Sequence, residues 1–306
     1  MQSRTFSAGR KKSLDSFSLD KIKPLRYLLV MTIKNRNRFF LFLFIFSSAV
    51  FLCEILVFCL AAAAEAVVAP ENPVRTFVLF KSGFLCPYSF HASAAAIILF
   101  GLSAPVLSMA VFKGFEKTPS LEILFFSGFI LSCLAESSRL LLPVFGLWKT
   151  NSLLLIVLGR IVIGGRILAP LSLFFAAAFS SADDLQNAER NLIILLTATC
   201  TFAILYPMNT SVTTSSCTVL WGFRHLLTAV RTLIFLTTIL SAVIEAHSKG
   251  IREIYAKAAG LLVLAAGYGL LCGTDCWLEF CIALVLSAAG CLIYLKSIHY
   301  IANMWT

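Results

Sequence analysis

The sequence is poor in charged residues. Only 13% of its 306 residues are Asp, Glu, Lys or Arg, whereas soluble domains carry about 25%. Hydrophobic residues make up 59%, and the mean hydropathy is +0.90. So few polar side chains cannot coat the surface of a water-soluble core of this length. We therefore expect most of the surface to face the hydrocarbon of a lipid bilayer.

The sequence also lacks the motifs of common catalytic and cofactor sites. It contains no phosphate-cradling glycine loop, no nucleophile elbow and no zinc-binding helix motif. Its four histidines and ten cysteines are not spaced as metal ligands are. We therefore expect a protein that is not an enzyme and that uses no cofactor and no metal.

The cysteines leave disulfide pairing open. Six of the ten lie inside apolar runs, where cysteine behaves as a small apolar residue. The other four fall at predicted outer ends of helices, and the sequence does not choose a pair among them. They are Cys86, Cys217, Cys272 and Cys276.

The chain is basic, with a formal net charge of +10. Ten of its 25 Lys and Arg residues precede residue 39, and most of the others lie in short loops between apolar runs. This distribution orients membrane proteins and does not indicate a nucleic-acid partner. We expect residues 1–38 to form a cytoplasmic tail that contacts anionic lipids, which attract each basic residue near the surface by about 1 kcal/mol.

Eight apolar runs come close to the length of about 20 residues that a helix needs to cross a bilayer. The predicted fold is all-α: one transmembrane bundle of eight helices over residues 39–297, followed by a short cytoplasmic tail, 298–306. The seventh run is the weakest, because Arg252 and Lys257 occupy its first turns and are expected to reach the lipid head groups. The runs are 39–64, 89–112, 121–147, 152–180, 191–207, 217–245, 252–272 and 277–296.

The basic residues in the loops orient this bundle. With the N-terminus in the cytoplasm, the inner segments carry 17 Lys and Arg residues and the outer segments carry three. The opposite orientation reverses this ratio against the positive-inside rule. We expect an integral protein of the cytoplasmic (inner) membrane, with both termini in the cytoplasm.

A cleaved signal peptide is an alternative reading of the first run. Translation from Met31 gives a basic start, an apolar middle and a small-residue end at Ala66, and cleavage there would leave seven helices. The run is longer than the usual apolar region of about 7–15 residues in a signal peptide, and it contains Glu54. A retained first helix is therefore the preferred prediction.

Ionisable residues inside the runs are the candidate ligand-binding residues. Each costs about 2.5–3.5 kcal/mol on insertion scales, and such residues generally face the bundle interior or water. At a rise of about 1.5 Å per residue, all but three of them share a predicted depth of roughly 10–17 Å below the outer boundary. The three are Arg166, His225 and Arg231, and the full set is Glu54, Glu136, Arg139, Arg160, Arg166, Arg224, His225 and Arg231.

The spacing of these residues predicts one network. Glu136 and Arg139 share a face of the third helix, because residues three apart are neighbours on a helix surface. A connection of about five residues requires the third and fourth helices to pack antiparallel, which brings Arg160 within reach of Glu136. We expect Glu136, Arg139 and Arg160 to be connected, and Arg224 to face the same cavity.

The candidate cations outnumber the candidate carboxylates, with five arginines and one histidine against Glu54 and Glu136. An unpaired buried cation is costly, and a guanidinium is suited to bidentate binding of a carboxylate or phosphate. A site for a small anion, open to the outside, follows from this excess. An internal salt-bridge cluster that fixes the register of the helices accounts for the arginines as well.

Three functions remain open. The preferred one is a carrier or permease-like protein that binds a small anionic ligand in an outward-facing polar layer. The first alternative is a seven-helix sensor or receptor-like protein that signals through a separate membrane protein partner. The second is a structural or assembly subunit whose arginines meet lipid head groups or acidic residues of a partner.

Overall fold

The structure is a computed structural model that describes residues 11–70, 73–75, 87–116, 120–149, 152–179 and 188–304. Over these residues it is a helical bundle in which seven helices are long and apolar enough to cross a membrane. The prediction of an all-α, multi-pass membrane protein is therefore confirmed. Cys86 and residues 1–10 of the predicted tail lie outside the described residues.

The described helices connect in a simple order, with one β-hairpin between the fifth and the sixth. The first helix includes residues 11–38 of the predicted tail in the same continuous helix as the first span. The helices are α1 (Lys11–Ala63), α2 (Phe90–Gly114), α3 (Leu121–Ser137), α4 (Leu153–Ala178), α5 (Ala188–Leu205), α6 (Arg224–Lys249), α7 (Arg252–Gly273) and α8 (Trp277–Met304). A 3-10 turn (Ser138–Leu140) and a short helix (Leu141–Phe145) extend α3, and the hairpin strands are β1 (Met208–Thr213) and β2 (Val219–Trp221).

Helices α3 and α4 pack antiparallel along a seam of small residues. A Cβ atom on Gly128 would lie 2.8 Å from the Cβ atom of Ser172, and one on Gly165 would lie 2.7 Å from the Cβ atom of Ala135. Larger side chains would force the backbones apart, so these residues permit the close approach. The sequence also predicts this seam, because small residues recur on one face of the fourth helix at Gly165, Ala169, Ser172 and Ala176, and the structure confirms it.

Helices α7 and α8 form a second close pair. A Cβ atom on Gly290 would lie 2.4 Å from the backbone nitrogen of Leu264, and one on Gly267 would lie 2.5 Å from the backbone nitrogen of Ser287. The absence of these side chains lets the two backbones touch. The seventh run, predicted to be the weakest, therefore forms a complete span of 22 residues.

The fifth run departs from the prediction. The apolar part of α5, Arg190–Leu205, is too short to count as a span. Pro207 follows its end, and proline lacks the N–H group that a continuing helix needs. The next segment is rich in threonine and valine and forms the hairpin instead. The predicted sixth run was wrong at its start, because α6 begins at Arg224 and not at residue 217.

The hairpin replaces the predicted outer loop 208–216 and enters the bundle. Its turn, residues 214–218, is buried, with no residue more than 3% exposed. The Ser93 hydroxyl donates to the carbonyl oxygens of Ser215 (2.9 Å) and Thr274 (3.2 Å), which ties the turn to α2 and to the α7–α8 connection. Non-helical backbone is tolerated at membrane depth where it is buried in protein, and this hairpin meets that condition.

Helix α5 and the hairpin together cross the bundle. Leu195 packs with Phe125 and Ala176, near the start of α3 and the end of α4. The chain then runs to the other end of the bundle, where α6 begins. The first span begins beside the α2–α3 turn, because Arg36 donates to the carbonyl oxygen of Phe115 (2.5 Å). The last helix ends beside the same turn, where the rings of Phe115 and His299 are 5.6 Å apart. The start of the first span and the end of the last helix therefore lie on the side of the bundle opposite to the hairpin.

Candidate anion site

Glu136 is the centre of a buried ion cluster at the end of α3. Its Oε2 atom lies 2.9 Å from Arg139 Nε, one helical turn further on. Its Oε1 atom lies 2.8 Å from Arg166 Nε on α4. All three residues are at most 5% exposed. We call these three residues the Glu136 cluster, and they contain two guanidinium groups for one carboxylate.

The remaining hydrogen bonds of the two guanidinium groups join the cluster to α7 and the hairpin. Arg139 Nη1 donates to the carbonyl oxygens of Ser216 (3.0 Å) and Cys272 (3.3 Å), and Arg166 Nη2 donates to that of Cys272 (3.0 Å). Cys272 lies in the last turn of α7, whose carbonyls have no intrahelical partners and attract cations. The arginines therefore also cap this helix, which accounts for part of their charge.

Three donor atoms around the cluster have no hydrogen-bond partner among the described residues. They are Arg139 Nη2, Trp221 Nε1 and Arg231 Nε, and each of these atoms is buried. The Arg166 guanidinium lies over the Trp221 ring, 4.5 Å from its centroid. Arg231 is close enough to interact electrostatically with Cys272. This part of the bundle therefore has more buried donors and positive charge than the acceptors of the described residues satisfy.

Arg160 is not part of this cluster. Its Nη1 atom donates to the carbonyl oxygens of Ala203 and Tyr206, both at 2.7 Å, and to that of Ile204. These carbonyls belong to the end of α5, where the helix leaves them without intrahelical partners. The prediction that Arg160 would connect to Glu136 was wrong, because the broken fifth helix provides nearer acceptors.

Arg224 and His225 lie in the first turn of α6, and His225 is exposed. Among the described contacts, neither residue reaches the Glu136 cluster. The predicted depth of Arg224 was wrong because it assumed that the helix began at residue 217. Arg231, two turns along the same face, occupies the deeper position beside α7.

Glu54 is buried on α1 at the same end of the bundle. Its carboxylate is hydrogen-bonded to the Ser137 side chain, on the residue that follows Glu136. The predicted common depth of Glu54 and Glu136 agrees with this contact. The two carboxylates nevertheless have different neighbours. Glu54 extends from α1 to the end of α3, whereas Glu136 pairs with Arg139 and Arg166.

A second buried cluster, which the sequence reasoning missed, lies at the other end of α3. Lys257 Nζ is 2.9 Å from Glu122 Oε1 and 2.7 Å from Glu245 Oε2, and Lys249 Nζ is 2.7 Å from Glu245 Oε1. We call these four residues the Glu122 cluster. Lys257 is 2% exposed, so the expectation that it reaches the head groups was wrong. The sequence did contain a signal for this cluster, because its two acidic and two basic residues all lie at predicted inner ends of helices.

An ion pair near the hairpin was also missed. Arg75 donates to Asp275 through Nε (2.8 Å) and Nη2 (2.7 Å), and these hydrogen bonds raise the pKa of Arg75. The ligand atoms of Asp275, Cys276 and Glu279 lie within 4.8 Å of one another, as metal ligands would. Both carboxylate oxygens of Asp275 already bind Arg75, so the geometry favours an ion pair at this residue.

The cysteines predicted at the outer ends are buried free thiols where the structure describes them. Cys217, Cys272 and Cys276 are each at most 1% exposed, and none is in a disulfide. Buried thiols of this kind behave as small apolar residues and are unreactive.

Comparison with known proteins gives little further information. The sequence matches no protein-family model. A protein of Treponema pallidum (strain Nichols), described as an uncharacterized protein, is 33% identical to the chain over 126 residues. The match covers 41% of this chain and 35% of the relative, so the chain spans about a third of that protein's length. The description of this relative names no activity that could be transferred to the chain.

Proposed function

We propose that this integral membrane protein is a carrier that binds a small anion at the Glu136 cluster. The observation that carries the proposal is the excess of buried donors there. Arg139 and Arg166 share one carboxylate, and Arg231 lies near Cys272 beside them. A donor atom on Arg139, on Arg231 and on Trp221 has no partner among the described residues. An anion with several oxygen atoms would satisfy these donors and offset the positive charge.

The broken crossing formed by α5 and the hairpin supports a carrier. Many carriers bind their substrates beside discontinuous helices, where non-helical backbone lines the site. Here the hairpin turn contains no charged residue, and a hydrogen bond from Arg139 to the carbonyl oxygen of Ser216 holds it over the Glu136 cluster. Movement of the hairpin would expose the cluster to the side that the loop charges predict to be outside.

Anion-dependent thermal unfolding of the purified protein tests the binding. The probes are acetate, inorganic phosphate and sulfate as sodium salts, with sodium chloride, a monatomic anion, at equal ionic strength as the baseline. A bound anion stabilises only the folded state, so at least one probe should raise the Tm. If none of the three raises it, the proposed site is wrong.

Two arginines on the same face of α6 provide a matched pair of variants. Arg231→Leu removes the cation beside the Glu136 cluster, whereas Arg224→Leu removes a cation in the first turn of the same helix. We expect Arg231→Leu to abolish the anion-dependent rise in Tm and Arg224→Leu to retain it. Equal responses of both variants would contradict the site.

Uptake of the stabilising anion into proteoliposomes tests the carrier function separately. Uptake should be saturable in the wild type and lost in Arg231→Leu. Binding without uptake would contradict a carrier and favour the sensor that the sequence left open.

A further inference from the structure

An apolar cleft lies between α5 and the start of α6. Its volume is about 790 Å³, within the range of about 300–1,000 Å³ that is typical of small-molecule sites. Its lining runs along α5 from Ile193 to Leu205 and is completed by Tyr206, Pro207, Phe223 and Leu226. Leu205 and Leu226 are largely exposed, so the cleft opens on the surface that faces lipid.

The cleft exists because α5 stops short. The helix ends at Leu205 and the chain turns at Pro207 into the hairpin, which leaves a gap beside the first turn of α6. Arg160 holds this end of α5 in place through the carbonyl oxygens of Ala203 and Tyr206. The Tyr206 hydroxyl donates to the Phe223 carbonyl oxygen (2.6 Å) and closes the top of the gap.

Trp221 packs both with the aromatic lining of the cleft and with the Glu136 cluster. Phe202 and Tyr206 line the cleft with their rings stacked 5.1 Å apart, and Trp221 packs in the same apolar cluster. The Trp221 ring also lies against the Arg166 guanidinium, 4.5 Å from the ring centroid. A shift of the indole and of the two rings beside it would therefore connect the apolar cleft to a buried site with excess positive charge.

We infer that the anion is the head group of a single-chain amphiphile that enters sideways from the bilayer. Its carboxylate or phosphate lies against Arg166 and Arg139, and its apolar chain lies in the cleft. The charge complements the excess of donors, and the apolar lining complements the chain. Trp221 is a positioning residue that moves to admit the head group. This inference rests on the proposed function, because it assumes that the Glu136 cluster binds an anion.

Chain-length dependence of binding in phosphatidylcholine nanodiscs tests the inference. The probes are acetate, octanoate, dodecanoate and dodecyl phosphate, with dodecanol as an uncharged control. Each added methylene that becomes buried strengthens binding, so apparent affinity should rise at least tenfold from acetate to dodecanoate. Dodecanol should not compete. Comparison of dodecanoate with dodecyl phosphate identifies the preferred head group.

A filled cleft provides the matched variant. Thr201→Trp places a large side chain in the cleft lining, whereas Thr232→Trp places it on the exposed face of α6 away from the cleft. Thr201→Trp should abolish the chain-length dependence and retain acetate binding, and Thr232→Trp should behave as wild type. Because free fatty acids partition into the bilayer, affinities are compared between variants at equal amounts of probe per lipid.

The outcomes separate the two proposals. If acetate and dodecanoate bind equally well, or if Thr201→Trp keeps the chain-length dependence, the amphiphile is excluded while the anion site stands. If Thr232→Trp alters binding as much as Thr201→Trp does, the cleft is not the site of the chain. If no probe of any length binds to the wild type, the anion site itself is excluded.

Discussion

The two buried ion clusters at opposite ends of α3 differ in how their charges are paired. Glu136 and Glu122 are 14 residues apart, about 21 Å along the helix. In the Glu136 cluster two guanidinium groups share one carboxylate and also bond to backbone carbonyls. In the Glu122 cluster two carboxylates share the ammonium group of Lys257, and Lys249 supplies a second cation to Glu245.

The difference locates the candidate binding site. The Glu122 cluster pairs two carboxylates with two ammonium groups, and Lys249 is half-exposed, so that water reaches this end directly. The Glu136 cluster carries excess positive charge under a hairpin turn that excludes water. Guanidinium groups suit the Glu136 cluster, because their planar forks bind several oxygen atoms at once, whereas an ammonium group is a compact point charge. An anion is therefore expected at one end of the bundle and not at the other.

The largest expected effect is the loss of Glu136. Glu136→Gln leaves Arg139 and Arg166 buried without a countercharge, and the free energy of unfolding should fall by about 3–5 kcal/mol. Unfolding in increasing mole fractions of SDS measures this change. The triple variant Glu136→Leu, Arg139→Met, Arg166→Met removes all three charges and should recover most of the stability. A triple variant as unstable as Glu136→Gln would contradict a simple charge imbalance.

A smaller effect is expected at the other end of α3. Lys257→Met removes the donor that Glu122 and Glu245 share, and should cost about 1–3 kcal/mol, since both carboxylates remain partly accessible to water. Lys249→Met is the matched control: its side chain is 46% exposed, so its ion pair should contribute at most about 1 kcal/mol. A cost for Lys257→Met as large as that for Glu136→Gln would remove the distinction between the clusters.

Arg160→Met tests whether the broken crossing is held separately from the Glu136 cluster. It leaves carbonyls at the end of α5 without their donor and should cost about 1 kcal/mol. The effect should add to that of Glu136→Gln in the double variant, because no described contact links Arg160 to Glu136. Clear non-additivity in SDS unfolding would show that the two sites are coupled.

The smallest expected effect concerns the accessibility of cysteine thiols to a reagent and not the stability of the fold. In single-cysteine variants, a maleimide should react quickly with Lys249→Cys at the open end and slowly with a variant that retains only Cys217, in the hairpin turn. Cys217 is fully buried, so the reagent does not reach its thiol unless the hairpin opens. In intact cells the Lys249→Cys variant should be protected from a membrane-impermeant maleimide, as the predicted cytoplasmic side requires. Labelling from outside would reverse the topology.

Sequence alone was sufficient for the class of the fold and for part of the site. Long apolar runs with few charges predict spans, because unpaired backbone groups are not tolerated in hydrocarbon. The spacing of Glu136 and Arg139 predicts their contact, because it depends only on the geometry of one helix. The seam of α4 follows from the spacing of its small residues, and antiparallel packing follows from the short α3–α4 connection.

Other contacts were decided by the tertiary structure. Arg166 and not Arg160 pairs with Glu136, because the relative register of α3 and α4 comes from close approach at Gly165 and Gly128 and not from the length of their connection. The broken fifth helix, the inserted hairpin and the end of α7 supply carbonyls that no periodicity reports, and these carbonyls redirect Arg160 and Arg139. Spacing along one helix is a local property of the chain, whereas the choice of partner for a long arginine depends on which backbone ends the packed bundle brings near it.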